Sequence, residues 1–254
     1  MSTTRKIALI TGGSRGLGKE MALRTASIGL DIIITYKNNK AAALEVVKEI
    51  QSLGQSAEAL QLDTSNTATF EGFIALLLET LKVNFEEEAI DFLVNNAGIG
   101  IKSPQGNTEE KVFDELMNVH LKGVFFLTQK ILPYMKNGGA IVYISSGLTR
   151  FAIPGYSLYA SMKGAIEILN KYQALELGAR GIRSNVVAPG PIETDFEGGA
   201  VRDNKDVNQF ISQSNALGRT GIPSDIGGVI AFLCTEEAKW INAQRIEVSG
   251  GQNL

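Results

Sequence analysis

Apolar residues along this chain fall into two alternating patterns. Runs of five to seven residues rich in β-branched side chains occur at 6–11 (KIALIT), 31–36 (DIIITY), 57–62 (AEALQL), 90–95 (IDFLVN), 140–145 (AIVYIS), 182–188 (IRSNVVA) and 244–248 (QRIEV). Most are almost continuously apolar, which is how strands read when both faces of their sheet are covered. Between them, 18–28, 40–53, 66–83, 109–136 and 157–178 carry helical patterns. Strand, helix, strand at this rhythm predicts a parallel sheet with right-handed crossovers and helices on both faces. No Pro/Ser linker, repeat or low-complexity tract interrupts the sequence, so one doubly wound α/β domain over 1–254 is expected.

Two segments fit neither pattern. The acidic run at 86–88 reads as a solvated helix end or loop. The stretch 193–215 combines a Gly-Gly pair, many polar residues and a few large apolar ones. It is either a surface excursion or a lid over a substrate, since it follows the carboxyl end of a strand.

Composition narrows the partners. The chain has 254 residues, 44% of them apolar, enough for a sizeable core. A net charge of −3 with scattered basic residues excludes an electrostatic footprint for nucleic acid. One cysteine, Cys234, excludes an intramolecular disulfide and fits a reducing compartment, and its apolar run VIAFLC points to burial. The start MSTTRKIALIT is too short for a secretory leader, and nothing approaches the ~20 apolar residues of a membrane span. A soluble cytoplasmic protein with neither a metal site nor a membrane partner is expected.

Three stretches carry chemistry. TGGSRGLG (11–18) lies directly after the first strand and opens the first helix, with Gly12, Gly16 and Gly18 clearing space around Ser14, Arg15 and Leu17. Such a loop lets the backbone turn tightly and approach a diphosphate, which the helix N-terminus then attracts. The second strand ends in Tyr36, Lys37 and Asn38, without the carboxylate that usually binds an adenosine ribose. With Arg15 nearby, two cations and no anion favour NADP(H) over NAD(H). YASMK (159–163) puts Tyr159 and Lys163 four residues apart, on one helix face. A lysine charge there is expected to stabilise the phenolate and lower the phenol's pKa, suiting it to proton transfer. Tyr156 lacks such a partner and reads as packing or pocket wall. Ser146, at the end of AIVYIS, stands at the carboxyl edge where ligands bind in such sheets.

Taken in order, TGGSRGLG, Asp63, NNAG (95–98), Ser146, YASMK and PG (189–190) resemble the short-chain dehydrogenase/reductase family across essentially the whole chain. The stretch between Asp63 and NNAG is a few residues longer than usual there. The resemblance implies a seven-stranded parallel Rossmann sheet and hydride transfer between a nicotinamide and a carbonyl or alcohol carbon. It implies Tyr159 as acid/base, Ser146 orienting the reacting oxygen, and Lys163 binding the nicotinamide ribose while tuning Tyr159. Asp63 and Thr64 would flank the adenine; Asn95, Ala97 and Gly98 would line the cofactor cleft. Pro189, Gly190, Ile192 and Thr194 would hold the nicotinamide end. A homodimer or homotetramer packed through the helices at 109–136 and 157–178 is also implied.

His120, the only histidine, occupies a position where that family commonly has asparagine. It either replaces the asparagine in holding a helix kink and a water, transfers protons itself, or is merely structural. The expected activity is NADPH-dependent reduction of a carbonyl, a 3-oxoacyl thioester being one candidate and a sugar, polyol or quinone others. Phe151, Ile153 and Tyr156 in GLTRFAIPGY suit an apolar chain or ring. The competing class is a non-catalytic NADP(H)-binding sensor or scaffold, favoured only by the changed asparagine position.

Overall fold

The computed structural model describes residues 5–254. All seven predicted strands form: β1 (Ile7–Ile10), β2 (Asp31–Tyr36), β3 (Ala57–Gln61), β4 (Ile90–Asn95), β5 (Met135–Ile144), β6 (Arg183–Pro189) and β7 (Arg245–Val248). They make one sheet in the order β3-β2-β1-β4-β5-β6-β7, every pair parallel. The order reverses between β1 and β4, and such a switch point opens a crevice at the carboxyl ends of the strands.

Period-two alternation explains why the strands read as continuous apolar runs. Ala8 and Ile10 of β1 join one core with Ile32, Ile34, Val94 and Val142; Ile7 and Leu9 face the opposite way with Ile33, Leu93, Ile141 and Tyr143. The first core is covered by α1 (Gly16–Ser27), α2 (Lys40–Ser52) and α9 (Pro223–Leu233). The second is covered by α3 (Phe70–Thr80), α5 (Gly123–Ile131), which follows α4 (Glu110–Met117), and α6 (Ser157–Glu176).

The stretch 109–136 is not the single helix that its pattern predicts. α4 stops at Met117, one π-helical turn covers Asn118–Lys122, α5 follows, and a 3₁₀ turn at Leu132–Tyr134 ends the run. Pro133 has no N–H to continue the helix, and β5 begins at Met135, five residues before the predicted edge. Similarly, 66–83 divides into a 3₁₀ turn, α3 and a π turn at Leu81–Phe85, after which Glu86 sits exposed as the acidic run predicts. The pattern gives no signal for α9, whose Gly227 and Gly228 interrupt its apolar face. Pro223 in the first turn and Asp225, whose carboxylate accepts from the Ile222 N–H at 2.8 Å, mark its start instead.

Segment 193–215 is largely helical: a turn at Phe196–Gly199, then α7 (Ala200–Asp203) and α8 (Lys205–Ser214). Cys234 is buried, as expected. Among the described residues, no helix is long and apolar enough to cross a membrane.

Candidate active site

The crevice at the switch point is a cavity of about 760 Å³, within the range of small-molecule and cofactor sites. One end is built by the glycine loop. Gly12 has φ +67°, and a β-carbon on Gly18 would lie 2.2 Å from the Gly12 carbonyl oxygen, so neither position tolerates a side chain. Thr11 fastens this loop to the end of β4: its hydroxyl oxygen accepts from the N–H groups of Asn96 and Ala97, both at 3.0 Å. The Asn96 amide returns two bonds, to the carbonyls of Thr11 at 2.8 Å and Gly12 at 3.2 Å. α1 then begins with no capping side chain and no acidic residue in its first turn. Its first N–H groups and positive dipole end therefore face the crevice uncompensated, and the cradle fits a dinucleotide diphosphate.

The expected cations are beside this loop but not alone. Arg15 lies 3.8 Å from Asp195 and Lys37 Nζ lies 2.9 Å from Asp63, all four side chains being at least one-third exposed. The expectation of two cations and no anion is thus corrected, since Asp195 and Asp63 pair with them. Hydrogen bonds from Ser65 and Lys37 hold Asp63 below the usual carboxylate range, against the opposing push of its partial burial. Tyr36 packs into the core, 7% exposed, while still bordering the crevice.

The other end collects Ser146, Tyr159 and Lys163. Ser146 follows β5, and its hydroxyl oxygen caps the next turn by accepting from Leu148 N–H at 3.2 Å. Tyr159 and Lys163 are one turn apart on α6 and both buried, at 8% and 5% exposure. Lys163 Nζ donates to the Ile144 carbonyl at 2.8 Å and stands 5.6 Å from the Tyr159 ring centre. Burial pushes Lys163 down to about 7. Burial also drives Tyr159 above the ordinary phenol value; the Glu197 charge adds to this and nearby Ser146 opposes it. This direction is opposite to the one expected from the lysine, desolvation of the phenolate being its largest cause.

Of the remaining sequence-predicted residues, Ser14, Leu17, Thr64, Ala97, Gly98, Pro189, Gly190, Ile192 and Thr194 all line the crevice, as do Phe151, Ile153 and Tyr156. Asn95 does not. It is the last residue of β4, buried, and its amide donates to Thr128 Oγ1 at 3.1 Å on the core side. Alternation turns the next residue, Asn96, toward the loop, so the crevice takes the second asparagine of NNAG. Also unforeseen are Phe196, Glu197, Phe210 and Ile211, which bring segment 193–215 over the cavity. Of its two readings, the lid matches this placement.

His120 sits in the π turn, 1% exposed, with its ring edge-on to Tyr159 at 5.2 Å between centres. Its Nε2 lies 2.7 Å from the Ile99 carbonyl oxygen, close enough for Nε2–H to donate there. That leaves Nδ1 as a buried acceptor with no partner among the described residues. Burial, then the Lys163 charge, lower this imidazole to about 3, with the Ile99 bond opposing them. It is therefore neutral across the physiological range. This bond ties the π turn to the segment that follows β4.

A family profile described as Enoyl-(Acyl carrier protein) reductase matches residues 12–253. A Pestalotiopsis microspora protein described as a short-chain dehydrogenase/reductase is 34% identical, over 97% of this chain and 94% of its own. The tetrahydroxynaphthalene reductase PfmaG of Pestalotiopsis fici is also 34% identical, over 97% of this chain and 91% of its own. The structure of the angucycline C-6 ketoreductase LanV with bound NADP superposes with a TM-score of 0.92 at 34% identity, covering 98% of this chain and 95% of that one.

The His120 geometry predicts an acid-linked loss of stability. The unfolded chain takes up a proton near pH ~6.5 that the native imidazole does not, so stability falls as pH drops below that value toward 3. Urea unfolding of the parent and of His120→Asn at pH 7.5 and pH 5 isolates this contribution. The parent should lose about 2 kcal/mol more than the variant between the two conditions. Equal losses would show that the imidazole is not held neutral.

Proposed function

We propose that this chain, which belongs to the short-chain dehydrogenase/reductase family, is an NADPH-dependent reductase that converts a ring-bearing ketone to an alcohol with Tyr159 as proton donor. Membership makes it an oxidoreductase acting on carbonyl and alcohol groups, and the non-catalytic alternative falls with that. The observation that carries the finer reading is the meeting of Ser146, Tyr159 and Lys163 in the same crevice as the Gly12–Gly18 cradle.

Bound NADPH supplies the hydride. Tyr159, held as a neutral phenol by burial, is in the right state to give a proton to an oxygen that gains negative charge during reduction. Ser146 adds a second hydroxyl at the same edge, so two fixed dipoles meet charge that develops only in the transition state. Lys163 anchors α6 to the end of β5 through the Ile144 carbonyl and brings a cation near the phenol. His120 keeps the facing segment in place through Ile99. Arg15 and Lys37 are the groups that would pair with a 2′-phosphate, exchanging their present carboxylate partners for it.

The walls around the reacting end are apolar and partly aromatic: Leu148, Phe151, Ile153, Phe196, Phe210 and Ile211. The Phe196 ring centre is 6.2 Å from that of Tyr159. Flat faces so near the proton donor favour a ring over the flexible chain of a 3-oxoacyl thioester. The relatives named for hydroxynaphthalene and angucycline substrates support that choice. Phe113, Phe125, Phe126, Ile168, Tyr172 and Leu175 are exposed on α4, α5 and α6, and this surface suits assembly into a homodimer or homotetramer.

Tyr159→Phe should lower kcat/KM for tetralone reduction by about 10²–10⁴-fold while leaving NADPH affinity intact. In the same titrations the parent should bind NADPH about 10-fold or more tighter than NADH. Near-normal turnover by the Phe variant would remove Tyr159 from the chemistry, and equal affinities would remove the phosphate-pairing role of Arg15 and Lys37. Sedimentation velocity should give twice or four times the 27.3 kDa chain mass; a monomer would contradict the assembly.

A further inference from the structure

At the mouth of the cavity, opposite Tyr159, stands a carboxylate that the reduction chemistry above does not use. Glu197 occupies the left-handed region, with φ +52° and ψ +39°, followed by Gly198 and Gly199 at φ +72° and +80°. A side chain there costs roughly 1–2 kcal/mol that glycine avoids. The turn nevertheless brings this glutamate inward. Its Oε2 accepts from the Tyr156 hydroxyl at 2.7 Å. Against it, a β-carbon on Gly100 would lie 2.4 Å from Glu197 Cγ, 2.6 Å from the Phe196 ring and 2.8 Å from Glu197 Oε1. The bare backbone of Gly100 is thus the surface against which the turn closes, next to the Ile99 that His120 holds.

Glu197 is exposed at the cavity mouth. Among the described residues no lysine, arginine or histidine makes an ion pair with it; the nearby Arg202 is engaged by Asp195 and Asp203. A carboxylate can accept about four hydrogen bonds, and Tyr156 is the one donor seen on this one. Oε1 lies over Gly100, and the glutamate as a whole lines the cavity beside Phe196. Its charge is felt at both tyrosines, adding to burial in pushing Tyr156 up to about 12 and Tyr159 above its ordinary value.

We propose that Glu197, held in place by Tyr156 and by the clearance at Gly100, is a specificity-determining residue that selects neutral, hydroxyl-bearing ring ketones and turns away anionic ones. A substrate phenol or alcohol donates to the Glu197 carboxylate, a charge-assisted hydrogen bond that a plain ketone lacks. A substrate carboxylate meets like charge there. Tyr156 holds the glutamate where it lines the cavity. This deepens the ketoreductase reading above and rests on it.

The test uses the full chain with NADPH and three ketones that share one skeleton: tetralone, a hydroxytetralone and a carboxytetralone. Ratios of kcat/KM are the readout, since they cancel any general effect on turnover. The parent should prefer hydroxytetralone over tetralone by about 10-fold or more, and carboxytetralone should be the poorest of the three. Glu197→Gln keeps shape and removes charge, and should shrink the gap between the hydroxylated and carboxylated ketones by at least about 10-fold. Tyr156→Phe removes the hydroxyl that holds the carboxylate and should narrow the same gap, by less than Glu197→Gln does; an unchanged gap would remove Tyr156 from the assignment. Ratios equal in the parent and in Glu197→Gln would overturn the assignment while leaving the reductase intact. A parent that reduces none of the three ketones would overturn the ring-ketone reading, and this assignment with it.

Discussion

A lysine ammonium buried at 5% exposure must be given an acceptor or lose its charge. Lys163 is given the carbonyl of Ile144, and much of the site follows from that one bond. Ile144 is the last residue of β5, and Ser146 lies two residues beyond it. Lys163 lies on α6 one turn after Tyr159. The bond therefore fixes the distance between the strand end that carries one hydroxyl and the helix that carries the other. With Nζ committed to a single acceptor, burial still lowers the lysine to about 7 and leaves the phenol protonated. A protonated phenol is the state that the proposed ketone reduction needs.

Around this anchor the crevice is assembled from backbone contacts that exclude side chains and from ion pairs that tie its segments together. Gly12, Gly18 and Gly100 each clear a volume that a β-carbon would fill. Asp195 links the glycine loop, through Arg15, to the segment that covers the cavity, and Arg202 holds the same carboxylate from the other side. The glycine loop and the segment over the cavity thus share an aspartate.

The sheet was legible because both of its faces are covered, so each strand announces itself as an apolar run; β2 and β4 match their predicted edges residue for residue. Helix interiors were legible and interruptions were not. The π turn at Asn118–Lys122 is invisible to apolar spacing, because it inserts one residue without changing composition. Asn95 and Asn96 show the limit of motif reading. The order of residues places an asparagine at the crevice, but only the strand's alternation decides that the second one faces it. Lys37 with Asp63 and Tyr156 with Glu197 are pairs separated by 26 and 41 positions, and no local pattern announces such partners. The direction of the Tyr159 shift was misjudged for the same reason: helical spacing gives the distance between phenol and amine, whereas burial decides which effect dominates.

The central claim is that the crevice brings a nicotinamide and a ketone together so that hydride passes directly between them. Isotope transfer tests this most directly. The protein is incubated with tetralone and NADPH carrying deuterium at both positions of the nicotinamide C4, and the alcohol is weighed by mass spectrometry. The account predicts one deuterium in each product molecule, on the carbinol carbon. An alcohol formed without deuterium, or tight binding of both ligands with no transfer, would contradict it.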